Sequence, residues 1–283
     1  MITTLGKTAI RAYIAGLAPS IGQTLAVGIR NNAPAIGDTQ MGFEVARVPV
    51  TSVSLDPSTN KIVFKGTMDS ADAVKVYEVG LWSSEASEDS SLVLGFDDFD
   101  EAWEGDVVGF SEATATSRIG TSLMDMTVTD ATSKVATYPI ESTDMSTYLG
   151  PDDSWAIAFN KAGTANLTVK LKLTSGDGAG SLEFNFFPSN VSAAGYTFGS
   201  ALVKNATVTG SFDPSAITQF DVTVTPVAGN AATSTIQLDG VVATNAAYER
   251  NGSVLVARAL VSPVFSTNTS TPTDLEYELE VLV

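Results

Sequence analysis

The chain has 283 residues, no histidine and no cysteine, and a formal net charge of -17 from 15 basic and 32 acidic residues. The lack of those two side chains excludes serine–histidine triads, cysteine–histidine dyads and ordinary zinc sites. The acidic balance disfavours a nucleic-acid partner, whose phosphates need clustered cations, and a hydrophobic content of 44% excludes a disordered chain.

Carboxylates, lysine and tyrosine are what a catalyst would have to work with, so the composition points to a structural and binding protein, not an enzyme. The bland account of the acidity is solubility and suppressed self-aggregation. With no disulfides, stability must come from packing, oligomerisation or ions. Met1–Lys7 lacks the basic-then-apolar layout of a signal peptide, and no apolar run approaches the ~20 residues of a bilayer span. The expectation is a soluble chain made in a cytoplasm, with no membrane insertion. Its length suits two domains or one large β fold.

The first element is a helix. Ala9, Ile10, Tyr13, Ile14 and Leu17 fall at helical spacing between about Thr4 and Gly16, with Arg11 facing out. Gly16 and Pro19 stop it. Strands follow. Thr24 to Ile29 reads as a buried strand and Val45 to Val53 as another, with Pro49 signalling an edge or bulge. Asp56-Pro57-Ser58-Thr59-Asn60 has turn chemistry, and Lys61 to Gly66 returns as the hairpin partner. Val74 to Trp82 alternates again, and Ser83 to Ser91 is a polar connector without periodicity. A β-rich region then runs from Leu92 to about Thr244. In it, Trp155, Ile157 and Phe159 alternate and so share a buried face. From Asp274 to Val281 apolar residues alternate with acidic ones, giving a strand with one buried and one wet face.

Charge is distributed unevenly. Residues 1-92 and 245-283 hold 9 basic and 14 acidic residues, whereas residues 93-244 hold 6 basic and 18 acidic. Six of those acids lie between Asp97 and Asp106. A composition step of this kind supports a boundary.

Two ordered sets of residues carry resemblances. The first set comprises Ala26-Val27-Gly28-Ile29, a loop with Ala33-Pro34 and Gly37-Asp38-Thr39, then Glu44-Val45-Ala46-Arg47 and Tyr77-Glu78-Val79-Gly80-Leu81-Trp82. It resembles the tail-fibre and collar type module of tailed-bacteriophage structural proteins. In that family a Leu-x-Ala-Arg-Ala segment, Ser-Pro and a closing alternating strand soon follow. Here they come about 170 residues later, as Leu255-Val256-Ala257-Arg258-Ala259-Leu260, Ser262-Pro263 and the strand to Val283. The resemblance therefore implies a module of residues 1-92 and 245-283 interrupted by an insert of residues 93-244.

The insert carries the second set: Gly95-Phe96-Asp97-Asp98-Phe99-Asp100, Gly120-Thr121-Ser122-Leu123, Phe212-Asp213-Pro214 and Ile236-Gln237-Leu238-Asp239-Gly240. These are similar to carbohydrate-binding-module-like jelly rolls. That resemblance implies a structural calcium with Asp100 and Asp239 as side-chain ligands and a main-chain carbonyl near Gly120. Calcium suits several hard oxygens; the competing account is solvated acids at strand ends. Sugar binding would need exposed rings for stacking. Trp103 is the candidate ligand-binding ring, and core packing is its alternative.

The expected fold is thus all-β: a small β-sandwich module with one N-terminal helix, split by an inserted jelly-roll β-sandwich. The expected function is a virion structural component of a tailed phage, in tail, fibre or capsid surface. The split module would dock on other virion proteins, and the jelly roll would be displayed as decoration or as a contact for host-surface glycan. The first resemblance also implies a homo-oligomer, most simply a homotrimer. A carbohydrate-binding adhesin is the alternative, and a glycoside hydrolase using paired carboxylates the third reading.

Overall fold

The computed structural model describes residues 1–18, 20–69, 74–83, 90–95, 103–106, 109–112, 118–119, 122–129, 132–162, 167–176, 178, 180–186, 195–227, 234–244, 253–267 and 270–280. The fold is all-β with one helix at the start, α1 (Thr4–Ile14). The early strands are β1 (Thr24–Gly28), β2 (Glu44–Pro49), β3 (Ser52–Asp56), β4 (Lys61–Met68), β5 (Lys75–Trp82) and β6 (Ser90–Gly95). The middle of the chain gives β7 (Glu104–Gly105), β8 (Gly109–Glu112), β9 (Ser122–Val128), β10 (Lys134–Thr143), β11 (Ser154–Ala162), β12 (Leu167–Ser175) and β13 (Gly180–Asn185). The last six are β14 (Gly195–Leu202), β15 (Thr207–Gly210), β16 (Ile217–Pro226), β17 (Ser234–Thr244), β18 (Leu255–Ser266) and β19 (Thr273–Glu280).

The chain divides into two compact units, one of Met1–Ser91 with Ala246–Val283 and one of Leu92–Asn245. The first unit stacks a four-stranded sheet, ordered β18-β5-β1-β2, with a three-stranded sheet, ordered β19-β4-β3. Every second residue of β19 is buried (Leu275, Tyr277 and Leu279), which is the one-sided alternation read in the sequence. The helix starts at Thr3, whose side chain caps the Gly6 N–H at 2.8 Å. Gly6 allows the helix to lie on β18, since a Cβ there would stand 1.9 Å from the Val256 carbonyl oxygen.

Two sequence expectations need correction. Val45 to Val53 is two strands in different sheets. Val50 donates its N–H to the Gln23 carbonyl at 2.8 Å and Thr51 donates to that of Lys65 at 2.8 Å, so adjacent residues bond to opposite sheets. Pro49, whose nitrogen cannot donate, marks the end of the first strand. The helix also ends two residues early. Its stripe is only partly covered: Tyr13, Ile14 and Leu17 are exposed.

The second unit is a β-sandwich of two six-stranded sheets. One is ordered β15-β13-β12-β16-β10-β7; the other is β14-β11-β17-β9-β8, with β6 also pairing to β17. The chain passes between them repeatedly, for example from β10 to β11 and from β16 to β17. Its core joins Trp155, Ile157 and Phe159 of one sheet to Leu171, Leu173, Phe184, Phe220 and Val222 of the other. Burial of these aliphatic and aromatic side chains is the driving force for folding this unit.

Candidate functional site

Alternation along β12 and β13, and along β16 from Phe220 onward, sends apolar side chains inward and leaves polar ones on the outer face of their sheet. The registers align these residues in rows. One row crosses all six strands: Glu104, Thr137, Asp221, Lys172, Glu183 and Thr207. The flanking rows are Val135–Thr223–Lys170–Asn185 and Pro139–Gln219–Thr174–Ser181–Thr209. Strands ~4.8 Å apart with same-face residues ~6.7 Å apart make this a regular grid, polar except at Val135 and Pro139.

Asp221 is its hub. Only 6% exposed, it accepts hydrogen bonds from the Lys172 ammonium at 2.9 Å, the Thr137 hydroxyl at 2.8 Å and the Gln219 amide at 2.7 Å. The donors come from three adjacent strands, so one carboxylate fixes their rotamers. Lys170 pairs with Glu183 at 2.8 Å, so both lysines of the grid are matched by acids. No described residue in these three rows is aromatic. The face can offer fixed donors and acceptors to a hydroxyl-rich ligand, but no stacking platform.

Trp103 is 8% exposed and belongs to the sandwich core, stacked on Tyr138 at 5.2 Å between ring centroids. Asp239 is fully buried at an irregularity in the β11–β17 ladder, where the pairing of Ala158 with Gly240 and of Phe159 with Leu238 leaves it without an opposite residue. Its carboxylate accepts main-chain N–H groups of Arg118 at 2.9 Å and of Ile119 at 3.2 Å. The Arg118 guanidinium lies 5.3 Å from the Phe198 ring centre on β14. Asp239 thus anchors the segment that leads to Gly120. Asp100 and Gly120 lie outside the described residues, so of the three expected calcium ligands the structure describes one. Its oxygens accept from those two main-chain N–H groups.

The first unit holds a buried ionic cluster that composition did not signal. Glu78 on β5 and Arg258 on β18 are both fully buried and meet at 2.5 Å. Glu78 also accepts the Gly42 and Phe43 N–H groups at 3.1 and 2.9 Å. Arg258 reaches on to Asp38 at 2.9 Å and to the Asn32 carbonyl at 3.0 Å. The pair therefore pins the segment from Asn32 to Phe43 to the four-stranded sheet, under which Met41 packs with Ala26, Trp82 and Leu255. Glu78, Arg258 and Asp38 all belong to the residues that carry the first resemblance. That was the signal that could have identified them.

No protein-family model and no curated protein matches the chain. Among solved structures it is similar to a family 11 carbohydrate-binding module from Clostridium thermocellum in complex with a beta-1,3-1,4-mixed-linked tetrasaccharide. That likeness has 10% identity and a TM-score of 0.41, over 56% of this chain and 98% of that one. A family 30 carbohydrate-binding module is similar at 10% identity and a TM-score of 0.35, over 44% of this chain and 77% of that one. The enzymatically active domain of tailspike protein 4 from bacteriophage CBA120 is similar at 10% identity and a TM-score of 0.31, over 59% and 21%. At these scores no residue role passes from those proteins to this one.

Proposed function

We propose that the chain binds saccharide without turning it over, through the outer face of β10, β12, β13 and β16, and that the first unit attaches this sandwich to a larger body. The observation that carries the reading is the Asp221 hub. A nearly buried carboxylate holds Lys172, Thr137 and Gln219 in place on a rigid sheet, in keeping with the principle that recognition groups are best held by locked side chains on regular elements. A solvated sheet face with no ligand is the competing account, and loose, unpaired side chains would have favoured it.

A glycan array of neutral and acidic saccharides, probed with the full chain and with Gln219→Ala and Asn185→Ala, tests the proposal. Binding that drops in both variants supports it. A silent array, or binding indifferent to both substitutions, overturns it.

A second reading concerns the attachment itself: docking on a tailed-phage particle. It is favoured by the way Asp38, Glu78 and Arg258, residues of the tail-fibre and collar resemblance, combine into one clamp. Copurification of the chain with purified virions would test that reading. Calcium remains a separate proposal for Asp239 and Asp100, tested by calcium titration of thermal stability; a melting curve unchanged by calcium and by chelator would overturn it.

A further inference from the structure

The outer face of β10, β12, β13 and β16 has a charge order as well as a hydrogen-bond order. Its three rows hold two cations, Lys170 and Lys172, against three acids, Glu104, Asp221 and Glu183. Lys172 stands opposite Asp221 on β16 and opposite Glu183 on β13, so the one cation of the row that crosses all six strands has an acid on either side. Asp221 accepts from its ammonium at 2.9 Å, and Glu183 accepts from that of Lys170 at 2.8 Å. The acids differ in access: the Glu183 side chain is 34% exposed and that of Asp221 9%, while Lys172 is 39% exposed. A ligand settling on the row therefore meets Lys172 and Glu183 together, with Asp221 recessed beside them.

This order discriminates between two kinds of saccharide oxygen. A hydroxyl both donates and accepts, so neighbouring hydroxyls of one sugar can accept from the Lys172 ammonium and donate to the Glu183 carboxylate. A uronate carboxylate only accepts. Seated on Lys172, it would meet like charges on both sides, at Asp221 and Glu183, and would compete with Asp221 for the ammonium. The wider field acts in the same direction, since residues 93-244 hold 6 basic and 18 acidic residues.

We infer that the grid selects uncharged saccharides and rejects anionic ones, and that Glu183 is the residue that sets this preference. The preference rests on the saccharide-binding reading of the same face and adds to it the class of ligand.

Isothermal titration calorimetry of the full chain with glucan, galactan and mannan oligosaccharides, each paired with its C6-carboxylate counterpart, tests this. The expected result is at least ~10-fold tighter binding of the neutral member at low salt, with the gap narrowing as salt screens the repulsion. In Glu183→Gln the ratio of neutral to anionic affinity should fall by at least ~3-fold, and in Glu104→Gln, at the far end of the same row, it should fall less. Circular dichroism checks folding; if Glu183→Gln does not fold, the salt dependence of the parent carries the test. Binding of none of these oligosaccharides overturns the saccharide reading, and the preference with it. Anionic members that bind as tightly as their neutral counterparts overturn the preference alone. A ratio indifferent to Glu183→Gln, or moved further by Glu104→Gln, overturns the assignment to Glu183.

Discussion

Replacing Arg258 with alanine removes one partner of a fully buried ion pair and leaves the Glu78 carboxylate to the main-chain N–H groups of Gly42 and Phe43. Removing one member of such a pair costs about 3–5 kcal/mol, because the charge left behind keeps its desolvation penalty. The substitution also frees the Asn32 and Asp38 contacts that hold the loop over β5. For a unit of this size, a loss near the lower bound lowers the melting temperature by roughly 10 °C. Differential scanning calorimetry of the full chain should show the first unit melting earlier and the second unit unmoved. Replacing both members with apolar residues, Glu78→Leu with Arg258→Met, should recover much of the loss, since no uncompensated charge stays buried. A single Arg258→Ala variant that melts like the parent would refute the clamp, and so would a double variant worse than the single.

Three further outcomes follow from the geometry. Trp103→Ala should cost about 3–5 kcal/mol in chemical unfolding, as truncation of a core ring does, without selective loss of saccharide binding. Asp239→Ala should cost about 1–3 kcal/mol for the amides it leaves behind and should raise hydrogen exchange at Arg118 and Ile119; unchanged exchange there would count against the anchor. Burial pushes the Tyr277 phenol above its ordinary value of 10.0. Its contribution is fully present below pH 10 and is lost as pH rises from there towards the higher folded value. Urea unfolding above pH 10 should show stability falling with pH in the parent and a flatter profile in Tyr277→Phe.

Much of the fold was legible because its signals are local. The alternation in β19 and around Trp155 fixes which face is buried, and turn chemistry at Asp56 to Asn60 places the β3–β4 hairpin. The break between β2 and β3 was not legible, since a chain passing from one sheet to the other keeps its β character and only the hydrogen-bond partners of Val50 and Thr51 reveal the change. Helix coverage was missed for a related reason: a period of 3.6 shows which face of α1 is apolar but not how far the neighbouring sheet extends beneath it.

The candidate site was less legible. Asp221, Lys172, Thr137 and Gln219 are ordinary polar residues on three strands, and only the registers of β10, β12 and β16 make them one cluster. Asp239 was singled out by resemblance, and the structure places it beside residues 118–119 as the anchor of that segment. Trp103, weighed between core and ligand surface, packs in the core.

The most direct test is to titrate isotope-labelled full chain with a saccharide that binds on the array and to map the amide shifts by NMR. The account predicts that the perturbed amides cluster on β10, β12, β13 and β16 around Asp221 and vanish in Gln219→Ala. Shifts confined to the β14-β11-β17-β9 sheet or to the first unit would contradict it.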